Sequence, residues 1–218
     1  MARAAVGARG LVYRSVVIVG RDLSAPMPEV ECTLRVQIRL LGAGDTDALK
    51  RHRSDLDPAR LAARLELLER GHACVAAWLD GEIVASVWIA FDEARVPEID
   101  RRLRLAPGEV FLYDSYTSAP ARGHGIATVR AVWTARYLRD AGYRLAIGHV
   151  RPENRRAQGP PARAGYRVLG TAGYVRLGPW RRDFVRPVGL GRRWSRREPI
   201  DVASDFGVAA AIEGAAAP

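Results

Sequence analysis

FLYDSYTSAPARGHGIATVRAVWTARYLRDA, residues Phe111 to Ala141, decides how the rest of the chain is read. It opens with alternating apolar and polar residues, a strand pattern. A short loop carrying Pro120 follows, then Arg122-Gly-His-Gly-Ile-Ala127, then a helical pattern. Ile126, Val129, Trp133 and Tyr137, with Val132 beside them, line one helical face. Gly142 is the expected stop. A strand, a glycine loop and a helix in that order aim unpaired amides at an anion. The first N–H groups of a helix have no intrahelical partner, and the helix dipole adds positive charge there. Gly123 and Gly125 let main chain approach a phosphate with no Cβ between. The same loop also fits a plain tight connection. It lacks the Gly-Lys-Ser/Thr ending of a P-loop, and a dinucleotide fingerprint would need glycine at Thr128.

Working outward, the chain reads as one domain with extensions, since 218 residues with 48% hydrophobic content support a single sizeable core. Cys32 and Cys74 are too few for a disulfide framework, and no apolar run reaches membrane-spanning length. A soluble, cytoplasmic protein with no membrane partner is expected. The net charge of +10 is concentrated between Arg151 and Glu198, where thirteen arginines face three carboxylates. That region either meets an anionic partner or is a solvated surface. Lys50 is the sole lysine, so arginine is a compositional preference throughout, and nucleic acid is not the expected partner.

Residues 1–33 read as an N-terminal extension, with a strand near Leu11 to Val19 and a linker at Ser24-Ala-Pro-Met-Pro28. Leu34 to Leu40 alternates as a half-buried strand. Asp45 is a plausible N-cap, and Asp57-Pro58 is a strong helix start, with Leu61, Leu65 and Leu68 as the buried stripe. Asp80-Gly81 joins two strand-like runs as a two-residue hairpin loop. Asp92 to Ala106 is ambiguous, a turn of helix at most. Glu109 to Thr117 is a strand, Tyr143 to Val150 another, and a broken helix runs to about Ala164. A hairpin around Gly170-Thr-Ala closes the domain, placed at 34–184. Residues 185–218, basic and then rich in alanine and glycine, are expected to be a disordered tail.

Arg122-x-x-Gly125-x-Ala127 resembles the Arg/Gln-x-x-Gly-x-Gly/Ala signature of the GNAT superfamily of N-acyltransferases. The element order from Leu34 to Leu177 is similar to that family's. The resemblance implies an α/β fold: a mostly antiparallel mixed sheet flanked by helices, with a V-shaped splay between two parallel central strands. It also implies acyl-CoA, most simply acetyl-CoA, as cosubstrate, no metal, and an amine-bearing small molecule or protein as acceptor. Homodimerisation is left open. The pyrophosphate would lie on Arg122, Gly123, His124, Gly125, Ile126, Ala127 and Thr128, with amides near Thr117 polarising the thioester carbonyl. Asn154 matches the family's second CoA contact, or simply caps the next helix. His124 falls at a variable motif position, a loop residue rather than a base.

Family bases often lie on the strand before the motif, with the parity of Glu109, Phe111, Tyr113 and Ser115. Glu109 is the only carboxylate of that set. Tyr113 is a proton carrier, a substrate wall or a core residue, and Asp114 would need a β-bulge to face the substrate. The family's usual tyrosine acid is replaced by Pro161, preceded by Pro160. That departure keeps a non-catalytic acyl-CoA-binding module in view, and the arginine-rich region keeps a basic interaction protein in view. The acceptor has no code in the sequence.

Overall fold

A computed structural model of the chain describes residues 10–189, 193–195 and 199–206. Its strands and helices, in order, are β1 (Leu11–Asp22), β2 (Gln37–Leu40), α1 (Thr46–His52), α2 (Pro58–Glu69), β3 (Ala73–Leu79), β4 (Glu82–Ala90), β5 (Glu93–Val96), β6 (Arg101–Arg104), β7 (Glu109–Thr117), α3 (Ile126–Asp140), β8 (Leu145–Val150), α4 (Arg155–Arg163), β9 (Arg167–Leu177), β10 (Trp180–Pro187), β11 (Arg193–Ser195), β12 (Ile200–Asp201) and α5 (Val202–Phe206). A nine-stranded sheet runs β11-β10-β9-β1-β8-β7-β4-β3-β2, and β12-β6-β5 form a small second sheet. Among the described residues, β7 and β8 are the one parallel pair of neighbours in the large sheet.

The local signals hold where they are strongest. The Asp57 carboxylate accepts from the Arg60 amide at 2.9 Å, with Pro58 in the first turn of α2. Asp80 and Gly81 both take positive φ, which the β3–β4 hairpin turn requires. Asp45 stands before α1, but its side chain makes no cap there; it turns back to Arg39 and the Gly42 amide. The strand expected over residues 34–40 is confined to β2. The ambiguous stretch 92–106 is the β5–β6 hairpin rather than a helical turn.

Larger differences concern the ends. Residues 11–22, assigned to an extension outside the domain, form β1, bonded along both edges between β8 and β9. Val16 and Ile18 are fully buried. β10 continues past residue 184, with Val185 buried, and Ile200, Val202 and Phe206 dock into the same core as Leu103. The disordered tail therefore does not begin at 185; residues 207–218 lie outside the described part. Gly170 does not turn the closing hairpin, because β9 runs straight through it to Leu177 and the turn is at Gly178. A Cβ on Gly170 would collide with the Arg186 carbonyl of β10. This glycine permits close strand packing rather than reversal.

Each sheet face has its own cover. On one face Val75, Ile89, Val110 and Ala146 pack under Val132, Ala135 and Leu138 of α3. The apolar stripe read for α3 is rotated from this buried face. Val129, Trp133 and Tyr137 are only half-buried, and Val129 and Trp133 share a groove with Glu29 and Val30 of the β1–β2 linker. The other face carries α1 and α2 over Cys74, Ala76 and Trp88, and the small sheet over Phe111 and Ile147.

Ile18→Ala should cost about 2–5 kcal/mol, the usual range for a buried large-to-alanine change, and Phe206→Ala should also lower the midpoint. Urea unfolding of both variants measures this; wild-type stability for either would mean that its strand or helix is not docked.

Candidate active site

β7 and β8 run side by side from Glu109 opposite Leu145 to Leu112 opposite Gly148, and there the pairing stops. β7 continues to Thr117 and β8 to Val150, so the two strands part into a V. The divergence has a cause in the main chain of β7. On β4, Ser86 and Trp88 are two residues apart, but their partners Tyr116 and Tyr113 are three apart. β7 therefore holds one extra residue, a β-bulge, which bends the strand and raises its twist. Asp114 sits in that bulge at φ +47°.

Side chains clamp the bulge from both faces. The Asp114 carboxylate lies 2.9 Å from Nη1 of Arg53, which follows α1, and 2.9 Å from Nε of Arg64 in α2. From the α3 side the buried Arg130 guanidinium donates to the Ser86 carbonyl and, at 2.6 Å, to Ser115 Oγ. Burial lowers the Arg130 pKa to about 10. The Asp114 carboxylate, set between two guanidiniums, is occupied in holding the bulge.

Beyond Thr117 a tight turn leads to the glycine loop, where Gly123 and Gly125 adopt φ +89° and +81°. Among the described residues, the amides of Gly123, His124, Gly125, Ile126 and Ala127 carry no hydrogen bond. They leave a run of unpaired donors at the start of α3, as a strand, glycine loop and helix in that order led one to expect. The Arg122 side chain is turned inward, Nε donating to the Thr117 carbonyl at 2.9 Å, and so closes the loop on its own strand. The Ser118 amide is taken by the Val84 carbonyl. Ile126 and Thr128 are buried.

Two loop residues have a neighbour that no local pattern announces. The His124 carbonyl accepts from the Thr33 amide at 3.1 Å, and its Nδ1 lies 2.8 Å from Thr33 Oγ1. A Cβ on Gly125 would collide with the Glu31 carbonyl. The β1–β2 linker thus straps the loop, and Gly125 is required by that crossing as well as by its own backbone angle. Asn154 Oδ1 accepts from the Ala157 amide at 3.2 Å, the capping role. Pro160 and Pro161 do not break α4, which runs through both. This helix has no buried residue, so the prolines' missing N–H groups do not leave a carbonyl orphaned in the core.

The sequence candidates for proton transfer are dispersed. Glu109 stands at the far end of β7, eight residues from Thr117, about 26 Å away at a strand rise of about 3.3 Å per residue. Its buried carboxyl caps the Ala106 amide at 2.9 Å, and burial raises its pKa. It is not at the V. Tyr113 is, at the parting of the strands, with its hydroxyl 2.7 Å from His72 Nδ1 and its ring stacked on Phe111. Burial pushes its phenol pKa up. On the opposite wall stands a residue that the sequence reading passed over. His149 is the first position of β8 beyond Gly148 that shares the parity of Ile147, and its ring stacks on Phe111 at 5.5 Å. Its Nε2 is 3.1 Å from Glu98 Oε2, at the tip of the β5–β6 hairpin. The available signal was its place on the strand after Gly148; Glu98 lay in the stretch without a readable pattern.

The family model for acetyltransferases of the GNAT type matches residues 44–166, more than half of the chain. The chain belongs to the GNAT family. Solved structures with the same fold include an acetyltransferase of that family from Colwellia psychrerythraea, at 18% identity and a TM-score of 0.51 over 76% of this chain and 55% of that one. A second is the glucosamine N-acetyltransferase region of a fungal multi-domain β-N-acetylglucosaminidase, at 14% identity and a TM-score of 0.56 over 74% of this chain and 21% of that one. A third is a tandem GNAT protein from the clavulanic acid pathway, at 13% identity and 0.51 over 72% and 50%. The chain spans about half or less of the length of these three. No curated protein matches it. The mixed, mostly antiparallel sheet with one parallel pair and flanking helices is the architecture that the resemblance implied. Among the described residues no cluster of side chains is suited to a metal ion, and no helix is long and apolar enough to cross a membrane.

Two measurements test this construction. Gly125→Ala should lower the melting temperature more than Gly123→Ala, whose Cβ meets open space and pays only the backbone cost of about 1–2 kcal/mol; equal effects would remove the strap contact. The Glu98 carboxyl is held down at about 2 against an ordinary 4.5, chiefly by the hydrogen bond from His149. A depressed folded-state pKa stabilises above the unfolded value and is lost as pH falls through the folded one. The stability gap between wild type and Glu98→Gln should therefore close between about pH 4.5 and 2, as read from urea midpoints.

Proposed function

We propose that this chain transfers an acyl group, most simply acetyl, from acyl-CoA to a primary amine by direct attack on the thioester. The observation that carries the reading is the coincidence of two features at one end of β7: a parting of parallel strands at Leu112 and Gly148, and five unpaired amides at the start of α3. The amides of Gly123 to Ala127 and the helix dipole suit a pyrophosphate. Main chain of β7 past Leu112 has no strand to pair with on the β8 side, so it is open to the amide groups of a pantetheine arm. The thioester then lies between the walls that carry Tyr113 and His149, facing the side covered by α1, α2 and the β5–β6 hairpin. There an amine has access to the carbonyl carbon. Attack forms the C–N bond, collapse breaks C–S, and the thiolate takes up a proton.

In place of the family tyrosine stands Pro161, so the proton comes from another source. Tyr113 is the phenol at the V, and its raised pKa keeps it protonated and able to donate. Asn154 then serves as the cap of α4. Glu109 has no part in this scheme. Pro161 also supports a second reading, acyl-CoA binding without turnover.

Acetyl-CoA at a hundredfold excess over its Kd should stabilise the fold by about 2.7 kcal/mol, a rise of about 5–10 °C for a chain of this size. CoA release with a panel of primary amines should accompany it, and Tyr113→Phe should slow release more than it weakens binding. Gly123→Asp, which sets a carboxylate beside the pyrophosphate without touching Glu31, should abolish the thermal shift. Stabilisation without release from any amine would favour the non-catalytic reading, and no stabilisation would sink both.

A further inference from the structure

His149 and Glu98 form a pair that neither the fold nor the loop requires. Their partners decide the tautomer. Glu98 is ionised, with Arg151 Nε 3.6 Å from its second oxygen. An ionised carboxylate only accepts hydrogen bonds, so the Nε2 facing it carries the hydrogen. Nδ1 then holds a lone pair, and it is buried without a hydrogen-bond partner. An orphaned buried acceptor costs stability. Here it stands on a ring fixed face to face with Phe111, 4° from coplanar, on the wall of the V opposite Tyr113. The exposed 11% of the side chain lies on atoms other than Nδ1, so an acceptor reaches this nitrogen only by entering between the walls of the V. The carboxylate's own position is determined. Glu98 sits on a hairpin tip that Arg181 of β10 grips through the Ile99 carbonyl at 2.9 Å and the Asp100 carboxylate at 3.2 Å.

We infer that His149 is the general base of the transfer, taking the proton of the acceptor's ammonium group on Nδ1, and that Glu98 is the positioning residue which fixes its tautomer. This rests on the acyltransferase reading above. The step balances as follows. The ammonium gives one proton to Nδ1, and the freed amine lone pair attacks the thioester carbon. As the C–S bond breaks, the electron pair leaves on sulfur, and the new amide nitrogen sheds its second proton to the thiolate, directly or by way of Tyr113. The imidazolium returns its proton to solvent. The charged groups around the ring are Glu98 from the hairpin and Arg151 beyond β8; from β7 it meets Phe111, and its partner on β1 is Ile18.

A plain structural strut between hairpin and sheet would be equally well made, so the experiment must separate the two. Acetyl transfer from acetyl-CoA is measured for wild type and His149→Gln with a primary alkylamine and with an alkoxyamine. The first is an ammonium ion at the assay pH, and the second is already neutral and needs no base. His149→Gln should lose about 10²–10⁴-fold in kcat/KM toward the alkylamine and little toward the alkoxyamine, while its acetyl-CoA thermal shift is retained. Equal losses for both amines, or none for either, would overturn the proposal. Glu98→Gln should lose part of the same alkylamine-selective activity, and wild-type rates toward the alkylamine count against Glu98. A second measurement needs no acceptor: in long-range ¹H–¹⁵N spectra, His149 should be the Nε2–H tautomer in wild type and lose that preference in Glu98→Gln. An Nδ1–H ring in wild type refutes the inference by itself. Absence of any acetyl-CoA stabilisation of wild type would instead refute the acyltransferase reading on which it rests.

Discussion

One extra residue in β7 is the constraint on which the rest of the structure depends. A parallel pair in a continuous sheet has no reason to part, since every unmade ladder bond leaves polar main chain to be satisfied elsewhere. The bulge at Asp114 forces the issue by bending β7 away after Leu112. Its positive φ is uncommon for a residue with a side chain. Two arginines hold it from the helical side, and Arg130 supports the neighbouring main chain from the other. Removing one partner of such a buried arrangement typically costs about 3–5 kcal/mol, because the remaining charge is left uncompensated.

Around that opening the fold places its chemistry by element ends rather than by element faces. β7 delivers the glycine loop and Tyr113, β8 delivers His149, and the β5–β6 tip delivers Glu98. Tyr113, His149 and Glu98 each sit within a residue or two of where a strand pairing ends. Glu109 makes the contrast. It has the right parity and the right chemistry, but it lies at the paired end of β7, where Ala106 occupies it.

The sequence made the local elements readable and left the distant ones obscure. Asp57-Pro58, Asp80-Gly81 and the loop from Arg122 carry their physics in neighbouring residues, so α2, the β3–β4 hairpin and the glycine-loop start of α3 were legible. β1 was legible as a strand but not as a central one, because its partners β8 and β9 are more than a hundred residues away. The half-exposed stripe on α3 misled for a related reason: its cover is the linker near Val30, which has no periodicity of its own. Glycine in β9 was ambiguous in kind. Gly170 carries the same letter whether it turns a chain or admits the Arg186 carbonyl. His149 and Glu98 are 51 positions apart, and only the register of β8 and the docking of a hairpin bring them together.

The placement of β1 has a consequence for the way the chain is made. This strand is synthesised more than a hundred residues ahead of the strands that lie on either side of it. Until then Val16 to Ile18 is an apolar segment with two bare edges, the kind that pairs with other chains. Loop-closure entropy must be spent over most of the chain before either edge is covered, and contacts of that separation slow folding. Asp22, the prolines at 26 and 28 and the arginines at 14 and 21 then act as the gatekeeping flanks of a strand that has to wait.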